Sequence, residues 1–199
     1  MNFKELNLSA EMLRAIDVIG HSQATQIQQN AIPFILEGFD IIGCAQTGTG
    51  KTGAFTIPIL ERLNKSKKSS GNSIKALVLA PTRELAIQID ESFKMYNKFL
   101  GLKHTAIFGG VSAVNQIEIL NKGVDILTAT PGRLLDFIKQ GHVNVSQINV
   151  LVLDEADHML DMGFIHDMKK ILKFLPIKRQ TLFFSATMPE ETKKFSSTI

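Results

Sequence analysis

The chain of 199 residues contains one cysteine, one tyrosine and no tryptophan. No apolar run approaches the ~20 residues that a membrane-spanning helix needs. The N-terminus "MNFKELNLSAEM" lacks the basic, apolar and small-residue regions of a secretory signal. A soluble, cytoplasmic protein with no membrane partner is therefore expected. Cys44 has no second cysteine to pair with, which excludes an intramolecular disulfide, and its place at the end of an apolar run reads as a small buried core residue. Charge of either sign is not in large excess. The net value of +3 permits an anionic partner without requiring one. The sharpest local bias is "NKSKKSSGNSIK" (64–75), with four lysines and no acid, whose Ser, Gly and Asn content reads as a solvated loop.

What is present is a core's worth of apolar residues, 44% of the chain, at a length suited to one domain. Short apolar runs recur: "DIIGCA", "KALVLA", "HTAIF", "VDILTA", "NVLVLD" and "TLFFS". Between them lie amphipathic stretches such as "ELAIQIDESFKMYNKFL" and "GRLLDFIKQ". This alternation predicts an α/β fold, a mostly parallel β-sheet with helices on both faces. A helical region over roughly 9–37 precedes the first strand and would cap the sheet. No repeat or second composition regime marks another domain.

The first strand runs into "AQTGTGKT" (45–52). Ala45 stands where a full phosphate-binding loop has its first glycine, and Gly50, Lys51 and Thr52 hold their places. A loop of Gln46, Thr47, Gly48 and Thr49 between strand and helix directs backbone N–H groups and the positive helix end at one point. Lys51 would reach terminal phosphates, and the Thr52 hydroxyl would ligate Mg2+. The simpler alternative is that Gly48 and Gly50 only make a tight turn. In "VLVLDEAD", acids follow a buried strand at its carboxyl end, where ligands bind in open α/β sheets. There Asp154 would hold Mg2+ through its water shell and Glu155 would act as general base. Acids at a helix start also offset the helix dipole, which is the alternative for these residues.

With these residues the sequence resembles the DEAD-box RNA helicase family. "DEAD" is literal, and "TQIQ" (25–28), "PTREL" (81–85), "TPGR" (130–133) and "SAT" (185–187) occur in the family's order, with a glycine pair at Gly109 and Gly110. The resemblance implies the N-terminal RecA-like domain of such a helicase, with ATP and Mg2+ as ligands and RNA as partner, and residues 1–38 as the adenine-recognition cap. Gln28 resembles the glutamine that reads adenine, with Thr25 beside it and Phe3 as the isolated upstream aromatic. His21 and Ala24 depart from the pattern, which usually has Phe or Tyr, and Pro, at those positions. The implied catalytic set is Lys51, Asp154 and Glu155 with Ser185 and Thr187. The last two would pair with Asp157 and couple the nucleotide site to the RNA side. Pro81, Thr82 and Arg83, Gly109 and Gly110, and Thr130, Pro131, Gly132 and Arg133 would hold single-stranded RNA.

Helix starts, threonine hydroxyls and arginines suit phosphate, and those stretches carry no aromatic platform for bases, so little sequence preference is expected. Ordinary helix capping is the alternative reading of "TPGR" and "SAT". The chain has no "HRxGRxGR" stretch, which the family carries on its second RecA-like domain, and reads as the N-terminal half of a helicase. A phosphate-loop kinase or small-molecule NTPase would account for residues 45–52 but leave "TQIQ", "SAT" and "TPGR" idle. A non-catalytic, nucleotide-gated RNA-binding module is a third reading.

Overall fold

The six apolar runs become six parallel strands in the computed structural model, which describes residues 1–66 and 73–199. They are β1 (Ile41–Cys44), β2 (Ala76–Leu79), β3 (His104–Ile107), β4 (Ile126–Ala129), β5 (Val150–Leu153) and β6 (Gln180–Ser185). The sheet order is β1-β6-β5-β2-β4-β3. Every adjacent pair is parallel, and the registers leave the carboxyl ends level: Cys44 lies beside Ser185, Leu153 beside Phe183 and Leu79, and Ala129 beside Leu79 and Ile107. Residues 67–72, in the middle of the lysine-rich stretch, lie outside the described residues, and that part of the loop expectation with them.

Parallel strands need helical crossovers, and the alternating side chains of each strand must be covered on both faces. Val78, Val152 and Phe184 point into one core layer, with Phe55, Ile59 and Phe93. Leu77, Leu79, Leu151, Leu153 and Phe183 point into the other, with Leu134, Phe137 and Met168. Each large side chain fully buried there contributes about 1.5–3 kcal/mol.

The first layer is built by α1 (Ala10–Ile19), α2 (Gln26–Glu37), α3 (Lys51–Ser66) and α4 (Arg83–Tyr96), with α1 packed on α4 and α2 on α3. The second carries α6 (Pro131–Lys139), α7 (Ala156–Asp161), α8 (Ile165–Leu172) and α9 (Glu190–Ser196), while α5 (Ala113–Asn121) lies beside β3. Ser9 caps α1, its hydroxyl accepting from the Met12 amide, and donates its own N–H and O–H to the buried Glu61 carboxylate on α3. That bond set anchors the N-terminal helices to the helix that follows the glycine loop.

The expectation for Cys44 is corrected. It is exposed, because β1 is an edge strand whose Ile42 and Cys44 face is left uncovered; the thiol lies 3.5 Å from the Ala186 carbonyl. No described helix is long and apolar enough to cross a membrane.

Candidate functional site

Level carboxyl ends divide the sheet's upper edge into two halves. The ends of β1, β6 and β5 carry the glycine loop, "SAT" and "DEAD"; the ends of β2, β4 and β3 carry "PTREL", "TPGR" and the glycine pair.

In the first half, residues 45–50 turn from β1 into α3. Thr49 closes the loop through its hydroxyl on the Gln46 carbonyl at 2.7 Å, while Gln46, Thr47 and Gly48 are exposed. Gly50 has φ of +91°, and a Cβ there would lie 2.7 Å from the Thr25 hydroxyl and 2.8 Å from Gln28 Nε2. Glycine is thus required both by backbone conformation and by close approach. Lys51, the first residue of α3, is only 5% exposed, and its Nζ is buried with no hydrogen-bonding partner among the described residues. A buried ammonium whose hydrogens meet no acceptor is costly, which leaves this atom free to meet a further acceptor at the loop. Thr52 follows it, half-buried.

Asp154 directly follows β5, is 2% exposed, and accepts the Glu155 amide at 3.0 Å. Burial pushes its carboxyl up to about 6 even though Lys51 pulls it down. Glu155 sits in the left-handed region at φ +51°, an uncommon conformation for a non-glycine residue, with Thr47 Oγ1 3.5 Å from one carboxylate oxygen and His158 Nδ1 3.4 Å from the other. Asp157 accepts at one oxygen from the Thr187 amide at 2.8 Å and hydroxyl at 2.7 Å. Burial alone would raise this carboxyl, but the hydrogen bonds it accepts outweigh burial and hold it below the usual range. Ser185 joins from the other side, accepting the Asp157 amide at 3.3 Å and donating to the Thr187 carbonyl at 2.6 Å.

Gln28 is 5% exposed on the first turn of α2. Its Oε1 accepts the Thr25 amide at 3.0 Å and its Nε2 donates to the Gly50 carbonyl at 3.1 Å, so "TQIQ" and the glycine loop are joined directly. Phe3 packs in the core at 2% exposure, while its edge lines a cavity shared with Arg14, Asp17 and His21. Ala24 is buried and donates its amide to the Met1 carbonyl at 3.1 Å, holding the first residues of the chain in place.

In the second half, Pro81 is buried, Thr82 caps α4 by accepting the Leu85 amide at 3.2 Å, and Arg83 lies over the Phe108 ring at 5.4 Å. Gly109 and Gly110 are exposed, with open space around both. Thr130 is the N-cap of α6, Pro131 its first residue, and Gly132 is half-buried. Arg133 donates to the Val111 carbonyl at 3.1 Å and lies over Phe137 at 5.1 Å, tying "TPGR" to the glycine pair.

Gly53, Tyr96 and Phe108 belong to the same geometry and are in none of the motifs. A Cβ on Gly53 would meet Gln28 Nε2 at 2.7 Å and the Tyr96 hydroxyl at 3.3 Å. Tyr96 bonds His21 at 3.1 Å. Its signal in the sequence is that it is the only tyrosine; Phe108 is signalled only by preceding the glycine pair.

A parallel sheet whose first strand feeds a glycine loop and helix, with an acid pair two strands away, is the arrangement of a RecA-like domain. The chain belongs to the DEAD/DEAH box helicase family, whose model matches residues 25–195, and it corresponds to the N-terminal RecA-like domain. It is 48% identical over 194 residues to the DEAD-box ATP-dependent RNA helicase CshA of Streptococcus pneumoniae, covering 98% of this chain and 36% of that protein. The DEAD-box ATP-dependent RNA helicase CshA of Geobacillus kaustophilus is 44% identical over 194 residues, covering 98% of this chain and 41% of that protein. The crystal structure of a DEAD box protein from the hyperthermophile Methanococcus jannaschii superposes with a TM-score of 0.92 at 42% identity, over 99% of this chain and 53% of that one. The chain thus spans well under half the length of these curated relatives.

Proposed function

We propose that this chain is the ATP- and magnesium-binding half of an ATP-dependent RNA helicase. Joined to its second RecA-like domain, it couples ATP hydrolysis to unwinding or remodelling of RNA duplexes. The observation that carries this reading is the buried Lys51 Nζ, without a hydrogen-bonding partner among the described residues, where the glycine loop enters α3, with an acid pair at the sheet edge beside it. Phosphate oxygens meet both the lysine and the loop amides. Thr52 and Asp154 are the residues that would hold the metal, and the upward-shifted Asp154 carboxyl is one that a cation would return to its charged form. When bound, Mg2+ supplies charge neutralisation on the phosphates. Glu155 acts as the general base that takes the proton of the attacking water. Gln46 to Gly50 wrap the phosphates, and Phe3, Thr25 and Gln28 of the 1–38 cap select adenine.

RNA is held by its sugar-phosphate backbone along Thr82, Arg83, Gly109, Gly110 and Thr130 to Arg133. Support comes from two helix starts and two arginines on one half of the sheet edge, with the Phe108 ring under Arg83. Asp157, Ser185 and Thr187 couple the nucleotide site to the RNA side and to the second domain. Charge building on the transferred phosphoryl group needs cationic donors beyond Lys51, which the second domain would supply; such donors are worth ~10³–10⁵ in rate.

Steady-state ATP hydrolysis with and without single-stranded RNA, and strand displacement, test the reading on the chain alone and joined to a second RecA-like domain. The chain alone should bind Mg-ADP, turn over little ATP and unwind nothing, and the joined form should do both with RNA stimulation. RNA-stimulated unwinding by the chain alone at the joined rate would overturn the half-enzyme reading.

A further inference from the structure

Opposite the motif-bearing edge, where the chain enters β5 and β6, an apolar surface is left uncovered. A cavity of about 370 Å³ there is lined by the buried Val143 and Val145, by Ile138 in the last turn of α6 and by Phe174 just past α8. Phe174 is 47% exposed, and Ile177, three residues on, is 100% exposed. Single exposed apolar residues are ordinary. Two within four positions, next to an apolar cavity, form a patch of the kind that marks interaction sites. The backbone holds this patch in shape. The Phe174 amide donates to the Ile171 carbonyl at 2.9 Å, and Arg179 Nη1 donates to the Pro176 carbonyl at 2.8 Å, closing the turn that carries Ile177. A partner would meet a surface already formed, which lowers the ordering cost of binding.

Charge indicates the chemistry of that partner. Residues 138–146 and 168–179, which carry most of the cavity and the turn, contain five lysines, one arginine and no Asp or Glu, in a chain whose totals are nearly balanced at 22 basic and 19 acidic. The nearest acids in the chain are Asp136 and Asp167. Lys170 pairs with Asp167 at 3.7 Å, and the charge of Asp40 acts on Arg179. Lys139, Lys173 and Lys178 are exposed and make no ion pair among the described residues. A second copy of the chain in a two-fold contact would set these lysines against their own kind. RNA fits poorly as well: the cavity's side chains are mainly aliphatic and Phe174 is the one ring among them, where bases need aromatic platforms in succession.

We infer that this patch docks an acidic peptide segment of a partner protein, with an apolar side chain of the segment in the cavity and its carboxylates on Lys139, Lys173 and Lys178. The glycine loop, "DEAD", "PTREL" and "TPGR" stand at the carboxyl ends of the strands, so docking leaves them open. The inference goes beyond the helicase reading and does not rest on it.

The experiment is selection of twelve-residue peptides from a random library displayed on phage, panned on the chain with Ile177→Glu as counter-selection. Fluorescence anisotropy then measures the selected peptides on wild type, Ile177→Glu and Lys173→Glu/Lys178→Glu. The changed residues are exposed, so thermal melts of the three proteins should coincide. Selected peptides should combine Asp or Glu with a large apolar residue, bind both variants at least tenfold more weakly than wild type, and weaken as salt is raised. Saturating Mg-ADP should not displace them. Failure to select peptides that depend on Ile177, selection of neutral or basic ones, or displacement by Mg-ADP would overturn the inference. So would a concentration-dependent dimer of the wild-type chain, or its binding of single-stranded oligouridylate, if either were lost in Ile177→Glu, since the patch would then belong to a second copy or to RNA.

Discussion

Thr187 places its amide and its hydroxyl on the same carboxylate oxygen of Asp157, at 2.8 and 2.7 Å, so the end of β6 is fastened to the start of α7 by a charge-assisted pair. Removing the hydroxyl in Thr187→Val leaves the amide bond and withdraws one donor from a buried carboxylate. The isolated chain should lose about 1.5–3 kcal/mol of stability in denaturant melts, with Mg-ADP affinity changed less than twofold. A large loss of nucleotide affinity would show that this pair shapes the cradle itself.

Lys51 and Glu155 should separate binding from turnover. Lys51→Met removes the buried ammonium at the loop, so Mg-ADP binding should fall at least tenfold. Glu155→Gln should leave Mg-ADP affinity nearly unchanged and slow hydrolysis in the joined protein, because the base acts mainly in the transition state. Calorimetry and steady-state ATPase assays check both, and equal loss of binding in the two variants would contradict this division.

Asp154 makes stability depend on pH with a definite sign. Its folded pKa, raised by burial to about 6, lies above the unfolded value of roughly 3.9, so the folded chain retains a proton that the unfolded chain has lost. Its contribution is fully present below about pH 4 and disappears as pH rises through 6, a fall on the order of 2–3 kcal/mol. Asp157 is shifted the other way, so its contribution is present above about pH 4 and is lost on further acidification. Denaturant melts between pH 4 and 7 should show wild type losing stability relative to Asp154→Asn; parallel profiles would mean that the carboxyl is not raised.

Gly53→Ala should act on base recognition without touching the phosphates. The new Cβ would lie 2.7 Å from Gln28 Nε2, which must swing away from its bond to the Gly50 carbonyl. Preference for ADP over GDP should shrink several-fold while Mg-pyrophosphate affinity holds, and comparative calorimetry would detect either outcome. An unchanged preference would show that Gln28 can shift and still read the base.

The strands, the helices between them and the residues that could meet phosphate are legible in the chain alone, because each is a local pattern. Four apolar residues before a turn, glycines before Lys51, and acids directly after "VLVL" keep their meaning wherever they are read. Burial of Cys44 was not legible, since whether a strand lies at the edge of a sheet is a property of its neighbours. Nor could the single tyrosine be assigned to His21, 75 positions away, because no local period relates them. The grouping of the motifs is the larger case. In the chain, the glycine loop is followed by "PTREL", the glycine pair and "TPGR" before "DEAD" and "SAT" appear. Only the sheet order β1-β6-β5-β2-β4-β3 brings the first, fifth and sixth strands together and leaves the others as a second group. That order comes from crossovers that must bury both faces of every central strand, a requirement on packing that no short stretch of sequence carries by itself.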